Sequence, residues 1–452
     1  METIDIYLSR YIKRLQKGGL GVKLGKLIVI LIFSTMIFAG CSNNSGSENT
    51  GDENTISIWV HFSREDPEGQ ATEEAIERFN EMQDEYTAEV QFIPRSGAGG
   101  GYEDVINAAL TTDTLPDVLT VDGPNTAAYA QSEILQPIDQ YISDKEDVLP
   151  SIIEQGMYED ELYSIGFSES GIGFYYNIDM LEQAGIDTDT LPTVDDPWDW
   201  NQFKDMLQTL HDYYQKPILD MGFDDHSEFL LYAYTPFLWS NGGEITNEEQ
   251  TKAEGYFNSE ESHETFSFIR QLIENDYSTI SPIEYGFHTG EYALLMSGSW
   301  TIQELDEEYQ DINYGIMPYP VSPNTQELVS PTGSWAYGMA ATTENKEGAG
   351  KVIDYLTQEE QMYEISMANS VLPARYSVAD RMVDEVNEPM QLLIEQNTKT
   401  GRARPSIVNY PQVSRAFQET VTETTYYDYS PNLQEVLDTK AQEIEVYLNQ
   451  EN

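Results

Sequence analysis

From Thr55 to Asp122 short apolar segments alternate with longer amphipathic ones, and this alternation constrains the fold more than any other feature of the chain. Thr55–Val60 (TISIWV) reads as a buried strand. Pro67–Asp84 then sets Ala71, Ala75, Ile76, Phe79 and Met82 at helical spacing with acids between them. Ala88–Ile93 reads as a second strand, Tyr102–Thr111 as a helix, and Asp117–Val121 as a third strand ending at Asp122-Gly123-Pro124. Such alternation implies a parallel sheet with crossover helices. Ligands of such sheets gather beyond the carboxyl ends of the strands, which sets His61, Phe62, Ser63 and Asp122 at a crevice edge. From Gly171 onward a second such region can be drawn, with a strand at Gly173–Tyr176. Its helices would be Trp200–Tyr213, Phe229–Leu238, Phe257–Glu274 and Glu291–Leu295. A length of 452 residues accommodates two such cores, so two α/β lobes in one chain is the economical reading.

Charge narrows what those lobes can bind. The chain carries 79 acidic and 23 basic side chains, a formal net charge of -56. Phosphate backbones are gripped by clustered Lys and Arg, so nucleic-acid partners are excluded. With 40 % hydrophobic and 12 % aromatic residues, the chain is also far too apolar for a self-repelling acidic coil.

The charge is uneven. Residues 1–40 hold six bases and two acids, so residues 41–452 keep 17 of the 23 bases and 77 of the 79 acids, a net of -60. The basic stretch leads into Leu27–Gly40 (LIVILIFSTMIFAG) and then Cys41, the only cysteine. A positive segment, a short apolar segment and small residues describe a secretory signal peptide over residues 1–40. Phe38-Ala39-Gly40-Cys41 resembles a bacterial lipobox, with Phe38 where Leu is usual, which implies a lipid on Cys41 and attachment to a membrane. Residues 41–54 (CSNNSGSENTGDEN) have the composition of a flexible tether. With its one cysteine used as an anchor, the exported chain must take its stability from core burial rather than a disulfide.

Catalytic and cofactor signatures are absent from the sequence. The run Ser96-Gly-Ala-Gly-Gly-Gly101 lacks both a following Gly-Lys-Ser/Thr and GxGxxG spacing, and reads as a strand-to-helix connection. No G-x-S-x-G or HExxH occurs. The five histidines (61, 211, 226, 263, 288) lack metal-ligand pairing, Asp224-Asp225-His226 being the nearest cluster, and no metal or cofactor is expected. Paired carboxylates for glycoside hydrolysis discriminate nothing in a chain with 79 acids.

Tyr163–Ile186 (YSIGFSESGIGFYYNIDMLEQAGI) resembles the signature of the family 1 extracellular solute-binding proteins, the sugar-binding components of ABC importers related to maltodextrin-binding protein. The match lies in Gly166, Gly173-Phe174-Tyr175, Tyr176-Asn177, Leu181 and Ala184-Gly185-Ile186. Other landmarks follow in family order: Leu115-Pro116-Asp117-Val118, Pro197-Trp198-Asp199 with Phe203, Ser240-Asn241-Gly242-Gly243, Met296-Ser-Gly-Ser-Trp300, Met317-Pro-Tyr-Pro320 and Pro331-Thr-Gly-Ser-Trp335. The resemblance covers about residues 55–450. It implies an α/β, two-lobed periplasmic-binding-protein-like fold of type II, with a hinge and an interlobe ligand cleft. Lobe I would comprise 55–168 plus about 320–372, and lobe II 169–319 plus about 373–452. Crossings are expected near Phe167–Gly171 and Met317–Val321, with a third in the C-terminal part. The implied partners are a sugar and the ABC permease subunits, with the protein a monomer at the outer face of the cell membrane.

Sugars present apolar C–H faces and a ring of hydroxyls, which suit aromatic faces and directional polar groups respectively. The resemblance puts Trp300 and Trp335 at the ligand, with Trp239 before the Gly-Gly loop and Tyr232 at the position of a stacking tyrosine. Asp122 is the preferred carboxylate for hydroxyl contacts, Glu169 and Ser170 stand at the expected hinge, and His61 follows the first strand. Trp59 is expected in the core, Trp198 and Trp200 at a helix start, and Arg375 in a surface ion pair. A binding protein rather than an enzyme is expected; the alternatives are a binding protein for a non-sugar solute and, less favoured, a lipid-anchored glycoside hydrolase.

Overall fold

Thr55–Val60 alternates half-buried and fully buried positions, as a strand between two different layers must. Ile56, Ile58 and Val60 have no exposed surface and join Ala75, Ile76 and Phe79 of the Pro67–Met82 helix in one core. Trp59 takes the other face, partly buried against the cluster of Tyr102, Ile106, Leu119 and Val121. The Tyr102 hydroxyl ties that layer to the sheet by donating to the carbonyls of Trp59 and Thr120, at 3.1 and 3.0 Å. The computed structural model describes residues 54–95, 101–426 and 432–450. The expected signal peptide, Cys41, residues 41–53 of the tether and residues 96–100 of the glycine run lie outside them.

Thr55–Val60, Thr87–Phe92 and Val118–Asp122 run parallel, as the alternation requires. The sheet then becomes mixed. Ser334–Ala340 lies antiparallel to Val118–Asp122, to Ser164–Glu169 and to Leu135–Gln136. In this register Trp335 stands opposite Asp122, so a late strand delivers an indole to the carboxyl edge of an early one.

The second sheet has the order Tyr314–Met317, Ile172–Asn177, Leu294–Gly298, Leu219–Asp220, and only its last pair is parallel. The expected second parallel region is therefore corrected to a largely antiparallel one, because Ile172–Asn177 is flanked on both sides by oppositely directed strands. The helix expected at Glu291–Leu295 is corrected too: Leu294–Gly298 is a strand with Leu294 and Met296 buried. A five-residue apolar run carries no period that separates the two states. Gly298 is required here, since a Cβ would lie 2.1 Å from the Trp300 ring.

Helix starts are set by local chemistry. Asp199 caps Trp200–Tyr214, accepting from the N–H groups of Asn201 and Gln202 while Gln202 bonds back. Trp200 anchors that start by stacking on Phe268, centroids 4.5 Å apart. Phe229–Ser240 is buried along almost its whole length and contains Pro236. Proline has no N–H for the carbonyl four residues back, which is that of Tyr232; the Thr235 hydroxyl covers it at 3.4 Å.

The C-terminal helices divide between two cores. Residues from Lys346–Leu356 through Tyr376–Met382 pack in the cluster under the first sheet, whereas Met390, Leu393 and Ile394 join that cluster beside Tyr175 and Ile316 of the second sheet. Tyr410–Thr425 and Leu433–Leu448 pack with Phe237, Phe257 and Phe266 in the second. Residues 376–382, expected with lobe II, thus pack beside the Glu359–Asn369 helix of the first cluster. The chain leaves the first sheet at Glu169, returns between Met317 and Ser334, and reaches the second core again through Gly401–Arg404. Two of these connecting segments pair directly, as parallel strands Ser330–Thr332 and Gly401–Ala403. All the described elements belong to one compact unit.

Candidate functional site

The carboxyl edge of the first sheet carries an aromatic platform. His61 follows the first strand, and its ring stacks on Trp335 with centroids 3.3 Å apart and planes 13° from parallel. Its Nδ1 lies 3.1 Å from the Thr120 hydroxyl. Burial, and secondarily the Arg95 charge, hold the His61 pKa well below the usual imidazole range, so the ring is neutral and packs as an aromatic. Arg95 lies over the Trp335 ring at 5.0 Å and pairs with Glu103 at 3.0 Å. Aromatic pairs of this kind contribute about 0.5–1.5 kcal/mol beyond area burial. They fix an indole, half-buried itself, beside Asp122.

A polar cluster sits where the connecting segments meet. Arg404 Nη2 donates to Asp122 at 3.1 Å and Nη1 to Glu228 at 2.8 Å, while its guanidinium lies 5.0 Å from the Tyr232 ring centroid. Burial works against the Arg404 charge, but Asp122, Tyr410 and Glu228 outweigh it and raise its pKa. Glu228 also accepts from the hydroxyls of Tyr410 and Ser414. Although 32 % of the Glu228 side chain is exposed, its carboxyl is enclosed by these three partners; desolvation raises its pKa, with Arg404 opposing.

Glu169 completes the cluster. It is 2 % exposed, its Oε2 accepts from the Gly333 N–H at 2.9 Å, and its Oε1 is buried without a partner. Burial pushes its pKa up to about 8, against the Gly333 bond and Arg404 and with the help of Asp122. Ser170 follows: its carbonyl accepts from the Tyr232 hydroxyl, and its own hydroxyl lies 3.2 Å from that hydroxyl. Gly333 must be glycine, since a Cβ would lie 2.7 Å from the Tyr232 ring and 3.0 Å from the Arg404 guanidinium.

The structure therefore brings together His61, Asp122 and Trp335 on one wall, and Glu169, Ser170 and Tyr232 at the junction beside it. Trp300 stands apart, 44 % exposed at the start of its helix. It lines a cavity of about 580 Å³ with Phe229, Tyr285, Asp220 and Asp224. Burial raises the Asp220 pKa to about 6. Trp239 goes elsewhere: 4 % exposed, it lies under the Arg402 guanidinium at 4.5 Å and borders a separate cavity of about 500 Å³ with Glu154, Glu244 and Tyr256. Tyr232 and Trp239 are two helical turns apart, hence on one face, and each lies beneath one arginine of the Gly401–Arg404 segment. Among the described residues no group of three His, Cys, Asp or Glu side chains is placed to hold a metal ion.

Arg375 is corrected from a surface ion pair to a buried structural group, 1 % exposed. It donates to the carbonyls of Thr357 and Asp144 at 2.6 and 3.0 Å and reaches Asp147 at 3.5 Å. Sequence reasoning missed Arg404, Glu228, Tyr410, Arg95 and Glu103. One signal was available: Arg402-Ala403-Arg404-Pro405 places two bases within three residues of a chain nearly devoid of them.

Comparison with known proteins identifies the family and the fold. The family pattern described as "Bacterial extracellular solute-binding protein" matches residues 74–392. A binding protein of Brucella abortus is 22 % identical over 293 residues, covering 60 % of this chain and 66 % of that one. The galactooligosaccharide-binding protein of Bacillus subtilis is 20 % identical over 300 residues, 63 % of this chain and 66 % of that one. The chain thus spans slightly less than two-thirds of either relative. Among solved structures, the cyclic alpha-maltosyl-1,6-maltose binding protein from Arthrobacter globiformis superposes with a TM-score of 0.77 at 22 % identity, over 87 % of this chain and 98 % of that one. UgpB from Mycobacterium tuberculosis, in complex with glycerophosphocholine, superposes at 0.70 with 19 % identity, over 87 % and 98 %. At these identities the structural likeness establishes the two-lobed fold.

Proposed function

The chain belongs to the bacterial extracellular solute-binding proteins, and on that footing we propose that it captures a mono- or oligosaccharide between its lobes and delivers it to an ABC permease. The observation that carries this reading is the Trp335 platform: a half-buried indole, braced by His61 and Arg95, beside the Asp122 carboxylate. That combination offers a flat apolar face for sugar C–H groups and an acceptor for their hydroxyls. Trp300, with Phe229 and Tyr285, supplies a second aromatic surface. The sugar-binding proteins among the relatives support the same class. In this reading Cys41 carries the lipid that keeps the protein at the outer face of the membrane, and the ligand leaves unaltered. Lobe closure is driven by the ligand's greater affinity for the closed form.

Isothermal titration and intrinsic tryptophan fluorescence against a panel of mono- and oligosaccharides test the proposal. Saturable heat with a fluorescence change for one sugar series supports it. Silence across the panel with a response to a non-sugar solute replaces the ligand class and leaves the family untouched. Release of product from chromogenic glycosides would overturn the assignment of binding without catalysis.

One observation favours a second reading. The Trp300 cavity joins three aromatics to Asp220, Asp224, Asp225 and Glu284, with no base among its lining residues. Such a lining suits a solute with a cationic group. Preference for amine-bearing ligands over neutral sugars in the same titrations would select it.

A further inference from the structure

The junction cluster contains an imbalance of charge. Arg404 is the one cation, and three carboxyl groups face it or one another: Asp122 from the end of a first-sheet strand, Glu228 from the start of the Phe229–Ser240 helix, and Glu169 from the connecting segment. Two hydroxyls, of Tyr410 and Ser414, serve Glu228. Glu169 has only the Gly333 N–H on one oxygen, and the other is buried without a partner. Its backbone is held on both sides by Leu372, at 2.7 and 2.8 Å. The backbone at Glu169 is therefore fixed, and the carboxyl it carries is buried. The charged and titratable groups that face it are Arg404, Asp122 and Tyr232, with Glu228 and Tyr410 behind Arg404.

Three negative charges around one positive charge are costly where one of them, Glu169, is fully buried and the other two are partly so, since ions lose several kcal/mol on desolvation. Arg404 is committed to Asp122 on one lobe and Glu228 on the other. Neither bond reaches Glu169. Opening the lobes would part Asp122 from Arg404 and admit water at the junction. Closing them restores the crowding.

We propose that Glu169 is a proton-carrying positioning residue at the hinge: bringing Asp122, Glu169, Glu228 and Arg404 together takes one proton from solvent onto Glu169, so that lobe closure is coupled to pH. The inference rests on the two-lobed binding reading but not on the identity of the ligand. With Asp122, Arg404 and Glu228 together as in this structure, the arrangement we assign to the closed form, the Glu169 pKa is raised to about 8; parting and hydrating the cluster returns it toward the ordinary carboxyl range. Between those limits the closed form holds one proton more than the open form. Closure is then fully favoured at the acid end and weakens about tenfold per pH unit until the closed-form pKa is passed. Arg404 stays charged throughout.

The protein alone decides the matter. Small-angle scattering from about pH 5 to about 9 at fixed ionic strength reads lobe separation, and infrared spectroscopy reads the C=O stretch of a protonated buried carboxyl. The expected result is a radius of gyration that grows with pH in the native protein and stays compact in E169Q, with the carboxyl band lost in E169Q. D122N supplies an independent arm: removing a facing negative charge lowers the Glu169 pKa of the closed form, so the growth of the radius of gyration with pH should be smaller than in the native protein. A flat profile in the native protein, an unchanged slope in E169Q, or an undiminished pH dependence in D122N overturns the proposal. The sugar panel reads separately: silence there with pH-dependent compaction strikes the carbohydrate reading alone, and sugar binding with flat compaction strikes this one alone.

Discussion

Arg375 and Arg404 are both almost wholly buried, at 1 % and 4 % exposed, in a chain that can spare few cations. Their partners differ in kind. Arg375 donates to two backbone carbonyls and touches one carboxylate, all belonging to elements packed in the first core. Arg404 donates to two carboxylates whose elements belong to different cores. A guanidinium bonded to carbonyls satisfies acceptors that cannot move without unfolding. One bonded to carboxylates from two bodies links the positions of those bodies. Burial alone does not separate a structural cation from a coupling one; the covalent independence of its partners does.

The largest expected effect breaks the first half of that contrast. Arg375→Met should cost about 3–5 kcal/mol of unfolding free energy, because the carbonyls of Thr357 and Asp144 and the Asp147 carboxylate lose a donor inside the core. Urea denaturation measures it. Ligand affinity per folded molecule should stay unchanged, and a loss below about 1 kcal/mol would end the claim that Arg375 is structural.

Arg404→Met should act the other way round. Asp122 and Glu228 keep 20 % and 32 % of their side-chain surface exposed, so they can rehydrate if the lobes part. Stability should fall by only about 1–2 kcal/mol, while the radius of gyration rises and ligand affinity drops about tenfold or more. Equal losses in the two variants, with no change in lobe separation, would erase the distinction between them.

How much of this was legible in the sequence follows from the distance over which each feature acts. The strand ends that place His61 and Asp122 were readable because strand–helix alternation is local, and the Asp199 cap announces its helix within three residues. Arg404 was not readable: its partners lie 282 and 176 residues away, and no local pattern encodes such pairings. Trp239 was legible in part. Its position before the Gly-Gly loop is a local signal, but the pairing that sets it under Arg402, on the same helix face as Tyr232 under Arg404, joins segments far apart in the chain. Leu294–Gly298 was misread because burial on a sheet and burial on a helix look alike over five residues.

The exposed Trp300 and the half-buried Trp335 sharpen the comparison at smaller scale. Trp300→Ala should barely change stability, since the ring is 44 % exposed, yet weaken ligand binding by about 1–1.5 kcal/mol, roughly tenfold. Trp335→Ala removes the partner of both His61 and Arg95, and should lower stability and affinity together, each by about 1–2 kcal/mol. Titration and denaturation of the same preparations separate the two patterns. A Trp300 variant that binds normally would remove that side chain from the site.

The smallest effect concerns the charge that surrounds both arginines. Residues 41–452 hold 77 acids and 17 bases, and most of this excess repels itself through water, where salt screens it within about 10 Å at 0.1 M. Added salt should therefore raise the melting temperature of the native protein and of both arginine variants in parallel. The Arg375 contacts are buried and scarcely screened, so the stability gap between native protein and Arg375→Met should stay constant to within about 0.5 kcal/mol from low to high salt. The Arg404→Met gap should shrink by about that amount, because screening eases the repulsion left between Asp122 and Glu228 once their cation is gone. Denaturation series at two salt concentrations measure both gaps. A salt-sensitive Arg375 gap would mean that its stabilisation comes from the Asp147 charge rather than from the carbonyls of Thr357 and Asp144, and the two arginines would then differ in degree rather than in kind.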